Sequence, residues 1–472
     1  MLTLAEVLEA TGGVLRGAQA GAGGVRFERV AVDSRAVTPG ALFIALRGQK
    51  HDAHAFVAQA LANGAAGAVV EYVPPDCVWA LDPRAEGPPL VVVRSSPEAL
   101  AKMARYALDR HPGLDVVGIT GSLGKTTTKE VVAGVLSAHR RVLKSEGNLN
   151  SEIGLPMTVL NGLDRPHEIA VLEMAMYQVG DIRLLARLAR PRIGVVTTVL
   201  PVHLERLGTI ERIQQAKQEL VEELPSNGVA VLNADDPRVE EMAKATSARV
   251  VRYGVARTAD VRADGQSIQS RGLRGVEFDL EHAGERRHVH LPLLGAHSVH
   301  AALAATAVAL AENFSLSDAA EALQGLSPTL RLLVIDGVNG SRIVDDSYNA
   351  SPESVLAALN LLRELPGRRK IGVLGDMLEL GSEERPGHQR VGIRAAAVLD
   401  LLIAYGPRSK TTADEARRGG LRPEQVLEPD SLDEIIDILR ARLRPGDDVL
   451  IKGSLAMGMS AVVRGIRAEG EV

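Results

Sequence analysis

The chain has 472 residues, too many for a single hydrophobic core and enough for about three domains. Its hydrophobic share of 46% indicates a packed globular protein, and its net charge of −5 excludes a nucleic-acid partner held by bulk electrostatics. Cys77 is the lone cysteine, which excludes an internal disulfide and a cysteine metal cluster.

The opening "MLTLAEVLEATGG" has no basic region followed by an apolar one, so no signal peptide is expected. No uncharged apolar run reaches the length of a membrane span, and a soluble cytoplasmic protein is expected. Residues 1–95 mix short apolar runs ("VRFERVAVDSR", "ALFIAL", "GAAGAVVEYV", "LVVVR") with one helical stretch, "AHAFVAQALANGA". "SSPEALAKMARYALDRHPG" reads as a helix capped by Ser95 or Ser96 and stopped by Pro112-Gly113. A domain boundary falls near residue 108.

A strand–helix rhythm follows. "LDVVGIT", "EIAVLEMA", "RIGVVTTV" and "GVAVLNADD" are continuous apolar runs, as suits a parallel sheet covered on both faces. Residues 258–292 alternate polar and apolar with glycine turns, as antiparallel hairpins do, and "AHSVHAALAATAVALAE" returns to helix. "LSPTLR" at 326–331 reads as a linker into a second α/β unit with "RKIGVLGDM", "LDLLIAYG" and "DDVLIKGSLAMGMSAVVRGI". The expected fold is α/β in three domains, 1–108, 109–326 and 327–472. The middle one is a mostly parallel sheet of the phosphate-loop type flanked by helices. The last is Rossmann-like, and the first is smaller.

The segment "GITGSLGKTTTKE" (118–130) carries the first chemistry. Gly-Lys-Thr ends a phosphate-binding loop, but the strict spacing wants glycine at 119, where Ile119 stands. The context still fits, because a strand precedes and a helix follows, so backbone N–H groups and the helix dipole can hold phosphate. Gly121 and Gly124 let the chain curl through Ser122 and Leu123; Lys125 would reach the terminal phosphates; Thr126 would offer a hydroxyl to Mg²⁺, with Thr127 beside it. A glycine-rich turn without a ligand is the alternative reading.

This spacing resembles that of the Mur ligases, the ATP-dependent amide-forming enzymes of peptidoglycan synthesis. "EGNLNSEIGLP" (146–156), "LEMAMYQVGDI" (172–182), "TVLPVHLERLG" (198–208), "QAKQEL" (215–220) and "LNADDP" (232–237) follow in that family's order. "IVDDSYNASPES" (343–354) and "VLGDMLELG" (373–381) are similar to the member that adds D-alanyl-D-alanine to UDP-N-acetylmuramoyl-tripeptide, and "VAVDSRAVTPGALFIALRG" (30–48) to the family's uridine-nucleotide domain. The resemblance implies a cytoplasmic ligase, expected to be a monomer, whose first domain holds the UDP end, whose middle holds ATP and whose last brings the dipeptide. The rivals are a sibling that adds a single amino acid and a non-catalytic relative with a decayed site.

A carboxylate is a poor electrophile, so amide formation needs activation; ATP can phosphorylate it to an acyl phosphate, and cations must screen the two anions that meet. Two Mg²⁺ ions are expected. The resemblance assigns Lys125, Glu173, His203 and Lys217 to catalysis, with metal held by Thr126, Glu173, His203 and, if carbamylated, Lys217. It puts His297, Arg331, Asp346 and Tyr348 around ATP. It puts Ser34, Arg35, Asn148, Asn150, Ser151, Asn349 and Lys452 on the substrates. Ser298 and Ala301 stand where the family has asparagines, Leu330 where it has glycine before Arg331, and Leu455 where it has arginine.

Overall fold

The computed structural model describes residues 2–17, 24–48, 51–82, 87–327 and 333–468. The architecture is α/β and is built on three sheets.

The first sheet has five strands in the order Val14–Arg16, Leu90–Val92, Gly67–Val70, Leu42–Ile44, Val30–Ala31. Its first pair is antiparallel and the rest parallel. The helix Leu4–Thr11, which the sequence reading passed over, is opened by a capping box in which Thr3 and Glu6 satisfy each other's backbone N–H. Ser95 caps the helix Ser96–Asp109 by accepting from the Glu98 N–H, while Ser96 is its buried first residue. That helix places Leu100, Met103, Ala104 and Leu108 in a core shared with Leu4, Val69 and Val91 of the first unit and Leu155, Val159 and Leu185 of the middle one. Asn161 crosses the same seam. Its amide accepts from Val30 N (2.7 Å) and donates to Val30 O (3.0 Å).

The middle sheet has ten strands, and its order is sequence-discontinuous as in doubly wound folds. Val229–Asn233, Ile193–Val196, Asp115–Thr120, Ile169–Glu173 and Val142–Lys144 lie side by side and parallel. The antiparallel hairpins expected at 258–292 form: Val276–His282 pairs antiparallel with Val261–Ala263 and with Glu285–Leu291, and these strands extend the parallel sheet at its far edge. The helices Lys125–Ser137 and Ser298–Ala311 cover one face, and Asp181–Ala189 and Ile210–Glu222 the other. The second of these four is buried nearly all round, which its alanine-rich sequence allows.

The third sheet runs Leu333–Asp336, Arg342–Asp346, Asp447–Lys452, Arg369–Gly375, Leu401–Tyr405, Val426–Leu427 and is parallel after its first pair. Pro352–Glu364, Glu384–Ala396 and Ser409–Arg418 pack on one face, Leu432–Arg442 and Ser460–Ile466 on the other. Among the described residues no helix is long and apolar enough to cross a membrane.

Candidate active site

The phosphate loop joins the strand Asp115–Thr120 to the helix Lys125–Ser137. Gly121 (φ 148°) lies so close to the next strand that a Cβ would sit 1.8 Å from Thr197 Oγ1, and Gly124 (φ 82°) turns the chain into the helix. The segment after Ile193–Val196 stitches the loop down. Ser122 N donates to Thr198 O (2.8 Å), Leu123 N to Thr198 Oγ1 (3.0 Å), and Thr197 Oγ1 to Leu123 O (2.6 Å). Lys125 folds back over the loop and donates to Gly121 O at 2.9 Å. Thr126 and Thr127 follow in the first helical turn. The displaced glycine therefore leaves the loop's geometry intact: the tight spot is at 121, and Ile119 is a fully buried strand residue.

Register brings the other candidates alongside. Ile119 pairs with Glu173 and Thr120 with Val196, so the loop, Glu173 and the segment leading to His203 leave the carboxyl ends of three adjacent parallel strands. Open α/β sheets bind ligands at that edge. Glu173 is 2% exposed. Its Oε1 accepts from Asn150 Nδ2 (2.9 Å), while Oε2 is buried with no partner among the described residues. A carboxylate oxygen stranded in this way is costly unless a cation completes it. Ser145 fixes its backbone: Ser145 Oγ accepts from Glu173 N (3.1 Å), and the buried Lys129 donates to Ser145 O (2.6 Å).

Lys217 is on the inner face of the helix Ile210–Glu222, 3% exposed, with no carboxylate pairing among the described residues. Burial, reinforced by the nearby Lys125 ammonium, holds its amine well below the usual lysine range. His203 (φ 57°) opens the short helix Leu204–Leu207. Burial pushes its imidazole below the ordinary value, the Glu379 carboxylate opposes that, and Lys125 and Lys217 add to it. Among the described residues no three His, Cys, Asp or Glu side chains form a ready metal cluster. The expected set of Thr126, Glu173 and His203 would contribute one carboxylate and one imidazole and would leave places for phosphate oxygens.

Glu379 is the residue that sequence reasoning missed. It sits within "VLGDMLELG" after the third unit's strand Arg369–Gly375 and reaches His203 Nδ1 at 2.5 Å, with Arg206 Nη2 donating to its other oxygen at 2.8 Å. Its position between Leu378 and Leu380, a charge inside an apolar run, was the available signal.

The remaining candidates are more scattered. Lys452, 2% exposed at the end of a central strand, donates to Asp346 Oδ2 (2.6 Å) and Asn349 O (2.8 Å), so two residues assigned to different ligands form one ion pair. Tyr348, Asn349 and Leu455 are exposed beside it. His297 is exposed at the start of the helix Ser298–Ala311. Ser298 turns its hydroxyl onto Gly295 O (2.8 Å), and Ala301 is buried, so neither offers what an asparagine would. Ser151 accepts from Gly154 N (3.2 Å) at the next helix's start, and Asn148 lies exposed on the loop before it. Ser34 is buried in a turn, whereas the exposed Arg35 grips Asp33 (2.6 Å), whose carboxyl this contact lowers to about 2. Arg331 lies outside the described residues.

An ATP-type phosphate loop on a three-unit α/β frame, with a buried carboxylate and lysine at the loop's edge, defines a nucleotide-dependent enzyme class. Comparison with known families narrows it. Residues 26–107 match the Mur ligase family catalytic domain, 119–309 the Mur ligase middle domain, and 330–455 the Mur ligase glutamate ligase domain. The chain belongs to the Mur ligase family. A UDP-N-acetylmuramoyl-tripeptide–D-alanyl-D-alanine ligase of Mycobacterium tuberculosis is 36% identical, covering 99% of this chain and 98% of its own. The Escherichia coli protein of the same name is 33% identical, with 99% of each chain covered. Among solved structures, MurF from Acinetobacter baumannii superposes with a TM-score of 0.84 at 29% identity over 98% of each chain. MurF from Thermotoga maritima in complex with ADP gives 0.77 at 31% identity, covering 93% of this chain and 97% of that one.

Proposed function

We propose that this protein is an ADP-forming ligase that joins D-alanyl-D-alanine to UDP-N-acetylmuramoyl-tripeptide, giving the pentapeptide precursor of peptidoglycan. The observation that carries this reading is that the phosphate loop, Glu173 and the segment leading to His203 leave the ends of three adjacent parallel strands, with one Glu173 oxygen buried and without a partner among the described residues, and with Lys125 and Lys217 near enough to lower the His203 ring. Relatives with that name over nearly their full length support it.

Lys125 and the backbone N–H groups that open the helix Lys125–Ser137 take the β- and γ-phosphates of ATP. Mg²⁺, held by Thr126, Glu173 and His203, would screen the γ-phosphate from the approaching carboxylate. The tripeptide's terminal carboxylate oxygen attacks the γ-phosphorus, the bond to ADP breaks, and an acyl phosphate forms. The neutral amine of the dipeptide then attacks the acyl carbon, and inorganic phosphate leaves. Lys217 fits the carbamate role because only a neutral amine attacks CO₂, and burial, with the nearby Lys125 ammonium, favours the neutral form of this one. The carbamate supplies the anionic oxygens that an ammonium cannot. The first unit, with Ser34 and Arg35, takes the uridine end. Asn148, Asn150 and Ser151 face the peptide, and the third unit, with Asn349 and Lys452, brings the dipeptide and closes on ATP beside Asp346, Tyr348, His297 and Arg331. The enzyme is read as a cytoplasmic monomer.

Phosphate release tests the assignment. The expected result is release only with ATP, Mg²⁺, the UDP-muramyl-tripeptide and D-Ala-D-Ala together, with each omission abolishing it. Equal release when single amino acids replace the dipeptide would defeat it.

A further inference from the structure

His203 and Glu379 are 176 positions apart and belong to different sheets, yet their side chains meet at 2.5 Å. Both have left-handed backbones (φ 57° and 63°) without being glycine, a conformation that persists only where the surroundings impose it. The loop that carries Glu379 is fixed on both sides. Leu378 N donates to Ser454 Oγ (2.9 Å), Leu380 is buried, and a Cβ on Gly381 would press on the backbone of Glu205 at 3.1 Å and of Leu204 at 3.2 Å. Arg206 takes the second Glu379 oxygen while its guanidinium lies 4.7 Å above the Tyr177 ring. An ionised carboxylate only accepts hydrogen bonds, so the ring proton of a neutral His203 sits on Nδ1 and the lone pair on Nε2.

We propose that Glu379 is a positioning residue: it fixes the tautomer and tilt of His203 so that Nε2 is presented as a metal ligand, and it does so from the third unit. A carboxylate behind a ligating histidine commonly serves this purpose. Here the two halves come from separate units, so the metal site is complete only when the third unit is seated on Leu204–Leu207. Dipeptide delivery and metal loading are thereby coupled. This rests on reading His203 as a metal ligand.

The test compares wild type with Glu379→Gln, Glu379→Asp and His203→Ala in the full-length protein. Mn²⁺ binding is followed by electron paramagnetic resonance with a non-hydrolysable ATP analogue present. The His203 tautomer is read from ¹⁵N-histidine spectra, assigned by the signal that His203→Ala removes. Glu379→Gln should mix the tautomers, weaken Mn²⁺ binding about tenfold and raise the Mg²⁺ needed for half-maximal phosphate release by a similar factor, with the KM for dipeptide changing less. Glu379→Asp should recover part of each. An unchanged Nδ1–H signal and unchanged Mn²⁺ affinity in Glu379→Gln would overturn the proposal. So would a raised dipeptide KM with unaltered metal dependence, which is what a mere clasp between units predicts. If His203→Ala itself binds Mn²⁺ as wild type does, the reading of His203 as a ligand fails instead, and the tautomer shift alone then reports whether Glu379 orients the ring.

Discussion

Lys217 has no carboxylate pairing among the described residues, and its amine is held well below the range it has in an unfolded chain. Between the folded value and the unfolded one near 10.4 the unfolded chain holds a proton that the folded chain does not. Stability should therefore rise with pH across that window, and Lys217→Met should flatten the rise and melt higher at pH 7. Thermal melts from pH 7 to 10 in CO₂-free buffer check this, and a bicarbonate-dependent gain seen only in wild type would report the carbamate. Lys217→Ala should lose activity and recover some with a short-chain carboxylic acid; full activity without rescue would exclude the assigned role. Glu173→Gln keeps shape and the Asn150 contact but removes the charge. Phosphate release should fall by roughly 10²–10³, while the melting temperature holds or rises because the stranded carboxylate oxygen is neutralised.

The loop between strand and helix can be probed through its two glycines. Gly121→Ala drives a methyl group into Thr197 Oγ1, so the loop must move, and nucleotide binding by calorimetry should be lost. Gly124→Ala meets open space and carries only the left-handed backbone cost of about 1–2 kcal/mol, so nucleotide affinity should fall far less. Much at this scale was legible in the sequence. Continuous apolar runs announced the parallel strands, and Gly-Lys-Thr at a strand–helix junction announced the loop. What was not legible depends on partners distant in sequence. The run around Val276–His282 reads as a hairpin strand, but that it extends the parallel sheet shows only in its register with Val261–Ala263. Glu379 gains its meaning from His203 alone, while Asp346 and Lys452, quoted in separate motifs, prove to be adjacent strand ends that neutralise each other. Thr3 and Glu6 carried a readable cap for Leu4–Thr11, obscured because the opening residues were weighed only as a leader.

Across the whole molecule, the first two sheets are welded by one core, whereas the described contacts between the third and the middle include the His203–Glu379–Arg206 cluster, Gly381 against Leu204 and Glu205, and Leu294 on the third unit's core. Asn161→Ala removes both partners of Val30 at the welded seam and should cost about 1–3 kcal/mol in denaturant unfolding, with nucleotide affinity unchanged. Because the helix Ser96–Asp109 belongs to both sides of that seam, the span from the turn at Ser34 to the loop at Gly121 is expected to hold a fixed length. On the proposed reading of Ser34 and Arg35 as the uridine contacts, a muramyl nucleotide one residue short in its peptide would still dock by its uridine end, yet its carboxylate would stop shy of the γ-phosphate. It should act as a competitive inhibitor that yields no phosphate, making molecular length a criterion of selection.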